Sequence, residues 1–188
     1  MNKKEQKHIC PTWGAVGLDN SFRKLVHNPQ KILKPYIKEG MTVLDIGCGP
    51  GFFSLEMAKM LYGTGKVIAA DVQEGMLEKI RLKIKGTALQ QTIELHKSSF
   101  EHIGVVEKVD FVLAFWMVHE VRNQENFFEE LAAILKPNGR ILIIEPKIHV
   151  SKKAFNAMIY NIKKRGFTII EGPKVFFSRA NIIGFPLN

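Results

Sequence analysis

The sequence contains few cysteines and no long apolar run. Cys10 and Cys48 lie far apart and lack the spacing of metal ligands, so we expect no metal site and a reducing compartment. No segment approaches the roughly 20 consecutive apolar residues that span a bilayer, and no apolar run of signal-peptide length follows the charged residues 1–7. The sequence therefore predicts a cytoplasmic protein with no membrane span.

Clustered charge is also absent from the sequence. The formal net charge is +9, yet the lysines are spread along the chain. The nearest approach to a cluster, Lys163-Lys164-Arg165, ends a predicted helix, where cations offset the helix dipole. No aromatic residues interleave with these charges, as a platform for stacking bases requires. We interpret the charge as solvated helix faces and do not expect a nucleic-acid partner.

The length of 188 residues, with 46% hydrophobic and 24% charged residues, indicates one globular domain with a full core. We predict a single domain over residues 1–188. It is composed of an N-terminal helical cap or arm at 1–40 and an α/β core at 41–188. A monomer and a homodimer are both compatible with this organisation.

The arm contains two helix start signals. Residues 19–26 predict a short capped helix, and Asn28-Pro29 starts a second one, which Pro35 shortens or kinks. The preceding segment at 10–14, which contains Trp13, either covers the active site or packs on the domain.

From residue 41 onward, apolar runs alternate with amphipathic segments. Such alternation predicts a parallel sheet with helices on both faces. Only Gly172-Pro173 separates the last two apolar runs, which predicts one antiparallel strand at the edge of the sheet. The connection at 100–105 is interpreted as a loop or a single helical turn, and 136–139 as a turn. The predicted strands are 41–46, 66–71, 92–96, 109–115, 140–145, 167–171 and 174–178, and the predicted helices are 52–62, 73–85, 123–135 and 152–165.

Residues 43–52 read Val-Leu-Asp-Ile-Gly-Cys-Gly-Pro-Gly-Phe. An apolar strand followed by a glycine-rich turn and a helix start is typical of a cofactor-binding loop, because glycines adopt positive φ and let a ligand approach the backbone. A nicotinamide dinucleotide requires a third glycine where this chain has Phe52. Asp45, ahead of the first glycine, would repel a pyrophosphate but suits an ammonium group. These residues favour a cofactor with a nucleoside end and an amino-acid end.

Asp71 ends the second predicted strand. An acid at this place, after a glycine-rich first turn, can accept hydrogen bonds from both ribose hydroxyls of a nucleoside. The alternative is a cap for the helix that begins near Gln73. We favour the ribose role because the glycine loop precedes this strand.

Four segments together resemble the motifs of the class I S-adenosylmethionine-dependent methyltransferases. They are residues 43–51, residues 67–71 with the Met76-Leu77 pair that follows, residues 110–115 with His119, and residues 135–140. The resemblance covers most of residues 30–180. Within the family, the chain most resembles the small single-domain branch that includes quinone-biosynthesis methyltransferases. It implies S-adenosylmethionine as the cofactor. It also implies a Rossmann-like α/β fold whose seven-stranded, mostly parallel sheet has an antiparallel last strand.

The resemblance also implies roles for individual residues. The loop at 47–51 would carry the methionine portion and Asp71 the ribose, while Val72 would lie against the adenine. Ser98 stands where many family members have an aspartate, so the neighbouring Ser99 or a backbone amide would substitute for that adenine contact. The residues implied to bind the cofactor are Asp45, Gly47, Cys48, Gly49, Gly51, Asp71, Val72, Ser98, Ser99, Ala114 and Phe115.

His119 is the candidate catalytic residue, because it follows the fourth strand at the reactive end of the cofactor. It acts as a base if the acceptor must lose a proton. Otherwise it orients the loop or bonds to Glu120. Glu145 and His149, at the end of the fifth strand, are further residues that can reach the acceptor. Cys48 is interpreted as a small residue in a tight turn and not as a nucleophile.

We predict methyl transfer from S-adenosylmethionine to a small, partly apolar acceptor, with four aromatic residues near its pocket: Trp13, Phe22, Phe115 and Trp116. The Asn-Pro-Pro-Tyr type of tetrapeptide, which marks amino-methylating nucleic-acid and glutamine enzymes, is replaced by Ala-Phe-Trp-Met at 114–117. Three alternatives stay open: an RNA- or protein-directed methyltransferase, a non-catalytic S-adenosylmethionine-binding protein, and a nicotinamide-dependent oxidoreductase.

Overall fold

A computed structural model describes residues 26–186 of the chain. The strands in this range are β1 (Thr42–Ile46), β2 (Lys66–Asp71), β3 (Ile93–Lys97), β4 (Val109–Phe115), β5 (Leu135–Pro146), β6 (Thr168–Glu171) and β7 (Ser178–Gly184). The helices are α1 (Pro29–Leu33), α2 (Ser54–Met60), α3 (Glu74–Ile84), α4 (Gln124–Ile134) and α5 (Lys152–Lys164), with 3-10 turns at Ala88–Gln91 and Val118–Glu120. None of the helices described is long and apolar enough to cross a membrane.

The strands form one sheet in the order β3-β2-β1-β4-β5-β7-β6. Strands β1 to β5 are parallel, and β7 pairs antiparallel with both β5 and β6. Strand β7 therefore runs alone against the other six. The predicted seven-stranded, mostly parallel sheet with an antiparallel last strand is confirmed.

The two faces of the sheet bury separate apolar cores. Alternate residues of a strand point to opposite faces, so Val43 and Leu113 join one core while Leu44 and Val112 join the other. Helices α1, α2 and α3 cover the first core, and α4 and α5 cover the second. Strands that are buried on both faces read as continuous apolar runs, which is why the sequence pattern predicts them.

The segment at 100–105 is a loop without a helical turn, which is one of the two forms expected for it. Its backbone is held by Glu130, which accepts hydrogen bonds from the Ile103 N–H at 2.8 Å and the Gly104 N–H at 3.3 Å. Strand β5 begins earlier than residue 140, because Leu135 already pairs with Val109. Residues 136–139 then interrupt the register, so the predicted turn is an irregularity inside the strand.

Two predictions at the C-terminal end are wrong. The antiparallel strand is not at the edge, since β7 lies between β5 and β6. The last strand also does not span 174–178. Phe177 has a φ of 51°, and the Ser178 N–H donates to the Val175 carbonyl at 3.2 Å. The backbone therefore turns in this segment, and the strand begins only at Ser178.

Helix α1 is the second of the two helices predicted in the arm. The Asn28 side chain accepts a hydrogen bond from the Lys31 N–H at 3.1 Å, and Pro29 occupies the first turn. The helix ends at Leu33, before Pro35, as the proline predicts. The predictions for residues 10–14 and 19–25 lie outside the described residues.

Candidate active site

A cavity of about 340 Å³ opens at the carboxyl ends of β1, β2 and β4. Parallel strands have their carboxyl ends at the same end of the sheet, so polar residues at these strand ends meet there. Pro146 and His149, at and after the end of β5, complete its wall. The predicted site residues that line the cavity are Asp45, Gly47, Cys48, Gly49, Asp71, Val72, Ser98, Ser99, Phe115 and His119.

The glycine-rich turn after β1 folds against the end of β2. The N–H groups of Gly47 and Cys48 donate to the Ala70 carbonyl at 2.9 and 3.0 Å. Gly47 has a φ of 70°, and a Cβ there would lie 2.9 Å from the Met117 Cβ, so both the backbone and its packing require glycine. A Cβ on Gly49 would point into open space. The turn therefore leaves room for a ligand beside its backbone.

Asp71 connects this turn to the following helix. One carboxylate oxygen accepts from the Gly49 N–H at 2.9 Å, and the other accepts from the Gln73 N–H at 2.8 Å. Asp71 holds the backbone just ahead of α3 but is not the N-cap of that helix, which is Gln73. The two bonds leave the ribose role open, because each carboxylate oxygen accepts more than one hydrogen bond. Burial raises the pKa of Asp71, while its hydrogen bonds act in the opposite direction.

Asp45 lies in the cavity wall at the end of β1. Its buried carboxylate accepts a hydrogen bond from the Ser54 hydroxyl at 2.5 Å, and Ser54 is the first residue of α2. Close by, burial raises the pKa of the Cys48 thiol well above its ordinary value, and the charges of Asp45 and Asp71 add to this effect. A protonated thiol is a poor nucleophile, which agrees with the interpretation of Cys48 as a small turn residue.

Two of the predicted cofactor residues lie behind the cavity wall. Gly51, with a φ of 89°, packs under α3, where a Cβ would lie 2.8 Å from the Ile80 Cγ1. Ala114 is fully buried in the sheet between Ile46 and Ile143. Both positions have small residues because the backbone and side chains behind the cavity wall pack closely there.

The two serines after β3 line the cavity with their hydroxyls already bonded. The Ser98 hydroxyl donates to the Ile103 carbonyl at 2.9 Å, and the Ser99 hydroxyl accepts from the His102 N–H at 2.9 Å. A hydroxyl that donates keeps lone pairs that accept. Ser98 therefore retains the ability to bond to an amine in the cavity.

A buried carboxylate at the end of β5 holds His119. The Glu145 Oε2 lies 2.5 Å from the His119 Nδ1, and Oε1 accepts from the Val118 N–H at 2.9 Å. Since a carboxylate accepts, Nδ1 carries the proton and Nε2 is the nitrogen left for a ligand. The hydrogen bond that His119 donates to Glu145 raises the pKa of His119, although burial opposes it. The bond to Glu120 that was considered for His119 is not formed at Nδ1, where the partner is Glu145.

Two further titratable groups border His119 in the cavity wall. The rings of His149 and His119 meet edge to face, with 5.4 Å between their centroids. Burial raises the pKa of Glu120 to about 7, and the charges of Asp71 and Glu145 add to this while His119 opposes it. This end of the cavity therefore changes its charge near neutral pH.

The cavity is acidic although the chain is basic. Among the described residues 26–186, its lining contains five carboxylates and a single arginine, Arg122, in a chain of net charge +9. Partial burial strengthens the field of these charges and favours a cationic ligand. Acids at the ends of β1 and β2 beside a glycine turn, with apolar neighbours, fit a nucleoside cofactor that carries positive charge. The lining acids are Asp45, Asp71, Glu101, Glu120 and Glu130.

Trp116, which was expected near the acceptor pocket, lines the cavity and contacts residues that the sequence pattern does not mark. Trp116, with a φ of 59°, donates from its ring N–H to the Ser178 hydroxyl at 3.0 Å. The His27 ring packs edge-on against both Trp116 and Phe115, at 4.9 and 5.4 Å. Met117 fills the space beside Gly47. His27 and Ser178 belong to distant parts of the chain, so no local pattern marks them.

Comparison with known proteins identifies relatives of the chain. Residues 37–173 match the family described as "Methyltransferase domain". A ubiquinone/menaquinone biosynthesis C-methyltransferase, UbiE of Escherichia fergusonii, is 29% identical over 133 residues, which are 69% of this chain and 53% of that protein. The chain thus spans about half the length of the curated relatives it matches.

Solved structures share the fold over nearly the whole chain. A SAM-dependent methyltransferase from Aquifex aeolicus superposes with a TM-score of 0.80 at 29% identity, covering 92% of this chain and 97% of that one. A putative S-adenosyl-L-methionine-dependent methyltransferase from Methanococcus maripaludis gives a TM-score of 0.76 at 19% identity, covering 100% and 98%. At that identity the second likeness shows the fold alone.

Proposed function

The chain belongs to the class I S-adenosylmethionine-dependent methyltransferases, and we propose that it transfers a methyl group from this cofactor to a small, partly apolar acceptor bound beside His119. One observation carries the proposal. The glycine turn, the strand-end acids Asp45 and Asp71, and the His119 ring held by Glu145 all border the same cavity. The residues suited to the donor and the residue suited to the acceptor therefore face one space.

The donor would occupy the part of the cavity beside the glycine turn. When bound, S-adenosylmethionine supplies an electrophilic methyl group on a positively charged sulfonium. Asp71 would accept hydrogen bonds from the ribose hydroxyls, and Asp45 would face the ammonium group. Val72 would lie against the adenine, with Ser98 near its amine and Phe115 bordering the sulfonium. The acidic lining supports this placement, because it favours a ligand with two positive groups.

His119 would act as the base for the acceptor. Its Nδ1 is held by Glu145, which fixes the orientation of the ring and leaves Nε2 to accept a proton. Glu145 is a positioning residue in this scheme, since it lies behind the ring and also holds the Val118 N–H. The raised pKa of His119 makes the imidazole a stronger base once it is neutral.

An acceptor with an ionisable hydroxyl on a ring suits this arrangement. Such a hydroxyl would give its proton to His119, which makes the neighbouring ring carbon nucleophilic. This carbon would bond to the methyl group as the bond between methyl and sulfur breaks and a neutral thioether leaves. The methylated carbon would then lose its proton to water and His119 would return its proton to the ring oxygen, so the aromatic ring is restored and one proton is released overall. The names of the curated relatives refer to C-methylation in ubiquinone and menaquinone biosynthesis. We therefore propose a hydroquinone-like acceptor that is methylated at carbon.

Transfer of a labelled methyl group tests this function. The chain is incubated with methyl-labelled S-adenosylmethionine and an alkylated hydroquinone that lacks one ring methyl, and the dimethyl ether of the same compound serves as the matched control. We expect label on the ring carbon of the hydroquinone and none in the diether, which has no ionisable hydroxyl. Label that enters RNA or protein but no small molecule would favour a macromolecular acceptor. Cofactor binding without transfer to any pool would favour a non-catalytic binding protein.

A further inference from the structure

Three large apolar side chains are exposed at the edge of the sheet that carries the cavity. Ile148 is 76% exposed, Phe176 62% and Phe177 53%. Ile148 lies in the turn after β5 and the phenylalanines lie just before β7; these strand ends pair at Pro146 and Ser178. Large apolar residues that are exposed together mark an interaction site. We call Ile148, Phe176 and Phe177 the apolar rim.

The apolar rim is fastened to the cavity wall by hydrogen bonds. The Lys147 N–H donates to the Phe177 carbonyl at 2.9 Å and joins the two turns. The Ser178 hydroxyl donates to the Phe176 carbonyl at 3.0 Å and accepts from the ring N–H of Trp116 at 3.0 Å. Trp116 lines the cavity, as do Pro146 and His149 on either side of Lys147 and Ile148, so the apolar rim borders the cavity lining.

Cations flank the apolar rim. The two stretches that carry it, 146–153 and 172–180, contain no aspartate or glutamate. Apolar side chains among cations suit an anionic lipid bilayer, because the apolar groups enter the headgroup boundary while the cations meet lipid phosphates. The cations of these two stretches are Lys147, Lys152, Lys153, Lys174 and Arg179.

We propose that the apolar rim docks the cavity mouth on an anionic phospholipid bilayer. Ile148, Phe176 and Phe177 enter the headgroup region, and the exposed lysines beside them contact lipid phosphates. An acceptor with a lipid tail then reaches His119 directly from the bilayer. This last step rests on the proposed function, whereas binding to the bilayer does not.

A single-stranded nucleic acid would also be attracted by the cations but fits the apolar rim less well. Bases stack on open aromatic faces. The rings of Phe176 and Phe177 are tilted by 44° against each other with 5.5 Å between their centroids, so they do not form one flat platform for successive bases. Ile148, the most exposed of the three residues, has no face on which a base stacks. These features favour the bilayer.

Vesicle co-sedimentation of the full chain, without cofactor or acceptor, tests the proposal. Vesicles of phosphatidylcholine alone are compared with vesicles that also contain phosphatidylglycerol. We expect binding to the anionic vesicles, weakened by added salt. The double variant Phe176→Ser, Phe177→Asn should lower the partition at least about tenfold, since two apolar side chains are lost. Asparagine tolerates the positive φ at position 177.

Two further variants separate the contributions of charge and position. Lys147→Gln and Lys174→Gln should each lower the partition about fivefold, because each removes one cation near the lipid surface. Val106→Ser is the matched control. Val106 is 90% exposed and precedes β4, so it lies at the opposite edge of the sheet. This variant should bind vesicles as the unchanged chain does, and equal melting temperatures show that all the variants fold.

The outcomes separate this proposal from the proposed function. Absence of binding to anionic vesicles, or a double variant that binds like Val106→Ser, overturns the docking whatever the methyl-transfer result. Vesicle binding without transfer to any acceptor overturns the proposed function alone. If the chain self-associates through the apolar rim and does not bind vesicles, this surface binds a second copy of the chain. If it binds RNA through the apolar rim and not vesicles, the surface binds nucleic acid. Either result overturns the proposed docking on a bilayer.

Discussion

The cavity and the turns that carry the apolar rim lie at the same end of the sheet, but their charged residues have opposite signs. Among the described charged residues of the cavity lining, carboxylates such as Asp45, Asp71 and Glu120 outnumber the single arginine, whereas the turns that carry the apolar rim contain only cations among their charged residues. In the sequence these charges are interspersed, and the net charge of +9 describes neither region. The comparison teaches that a charge count indicates a partner only after the fold has placed each residue.

The two regions should therefore respond separately to substitution. Changes in the cavity should alter cofactor affinity or turnover and leave vesicle binding intact. Changes in the apolar rim should alter vesicle binding and leave cofactor affinity intact. A variant in one region that impairs both properties equally, while it remains folded, would break the separation.

The largest effect is expected from His119→Gln. Loss of the base should lower kcat by a factor of about 10²–10⁴, measured with the acceptor identified by labelled transfer. The dissociation constant for S-adenosylmethionine and the vesicle partition should stay unchanged, since the ring faces the acceptor end of the cavity. A kcat within a few-fold of the unchanged chain would remove His119 from the chemistry.

A smaller effect is expected from Glu145→Gln. Loss of the carboxylate that orients the ring should lower kcat about 10- to 100-fold. The hydrogen bond that His119 donates to Glu145 raises the pKa of His119 above the ordinary 6.5, so activity should rise with pH across a range above that value. In the variant this rise should move to lower pH. An unchanged pH profile would show that Glu145 does not act through His119.

The smallest effect is expected from Glu120→Gln. The carboxyl of Glu120, with a pKa of about 7, becomes charged as pH rises through neutrality. Its negative charge should then strengthen binding of the cationic cofactor by about fivefold, the size of one modest charge interaction. Titration calorimetry at pH values on either side of 7 should show this gain in the unchanged chain and its loss in the variant. The same substitution at the exposed Glu107 is the control, and it should leave the gain in place.

The centre of the sheet could be predicted from the sequence, and its C-terminal end could not. Strands such as β2 and β4 are buried on both faces, so their apolar runs mark them with the bounds observed. In β7, Arg179 and Asn181 interrupt the apolar pattern, while Val175 to Phe177 imitate a strand although the backbone turns there. The placement of β7 inside the sheet depends on pairing across the chain, which no local pattern records.

The cofactor side of the candidate site could be predicted better than the acceptor side. The rule that ligands bind at strand ends places Asp45 and Asp71 correctly in the cavity wall. It does not distinguish residues in the wall from small residues that support it, such as Gly51 and Ala114. The bond between Glu145 and His119 requires β4 and β5 to lie side by side, so only the fold reveals it.

The comparisons confirm the predicted family and S-adenosylmethionine as its cofactor. The contacts of individual residues with the cofactor stay predictions, as do the single domain over 1–188, the oligomeric state and the cytoplasmic location.

Calorimetric titration with S-adenosylmethionine tests whether the acids at the strand ends hold this cofactor. The titration compares the unchanged chain with Asp71→Ala. Glu107→Ala, which removes an exposed acid before β4, is the matched control. We predict that the unchanged chain and Glu107→Ala bind S-adenosylmethionine alike and do not bind NAD. Asp71→Ala should bind about 100-fold more weakly, because two hydrogen bonds to a charged acceptor are lost. Unchanged affinity in Asp71→Ala would show that Asp71 does not hold the cofactor. Binding of NAD in place of S-adenosylmethionine would show that the site binds a different cofactor.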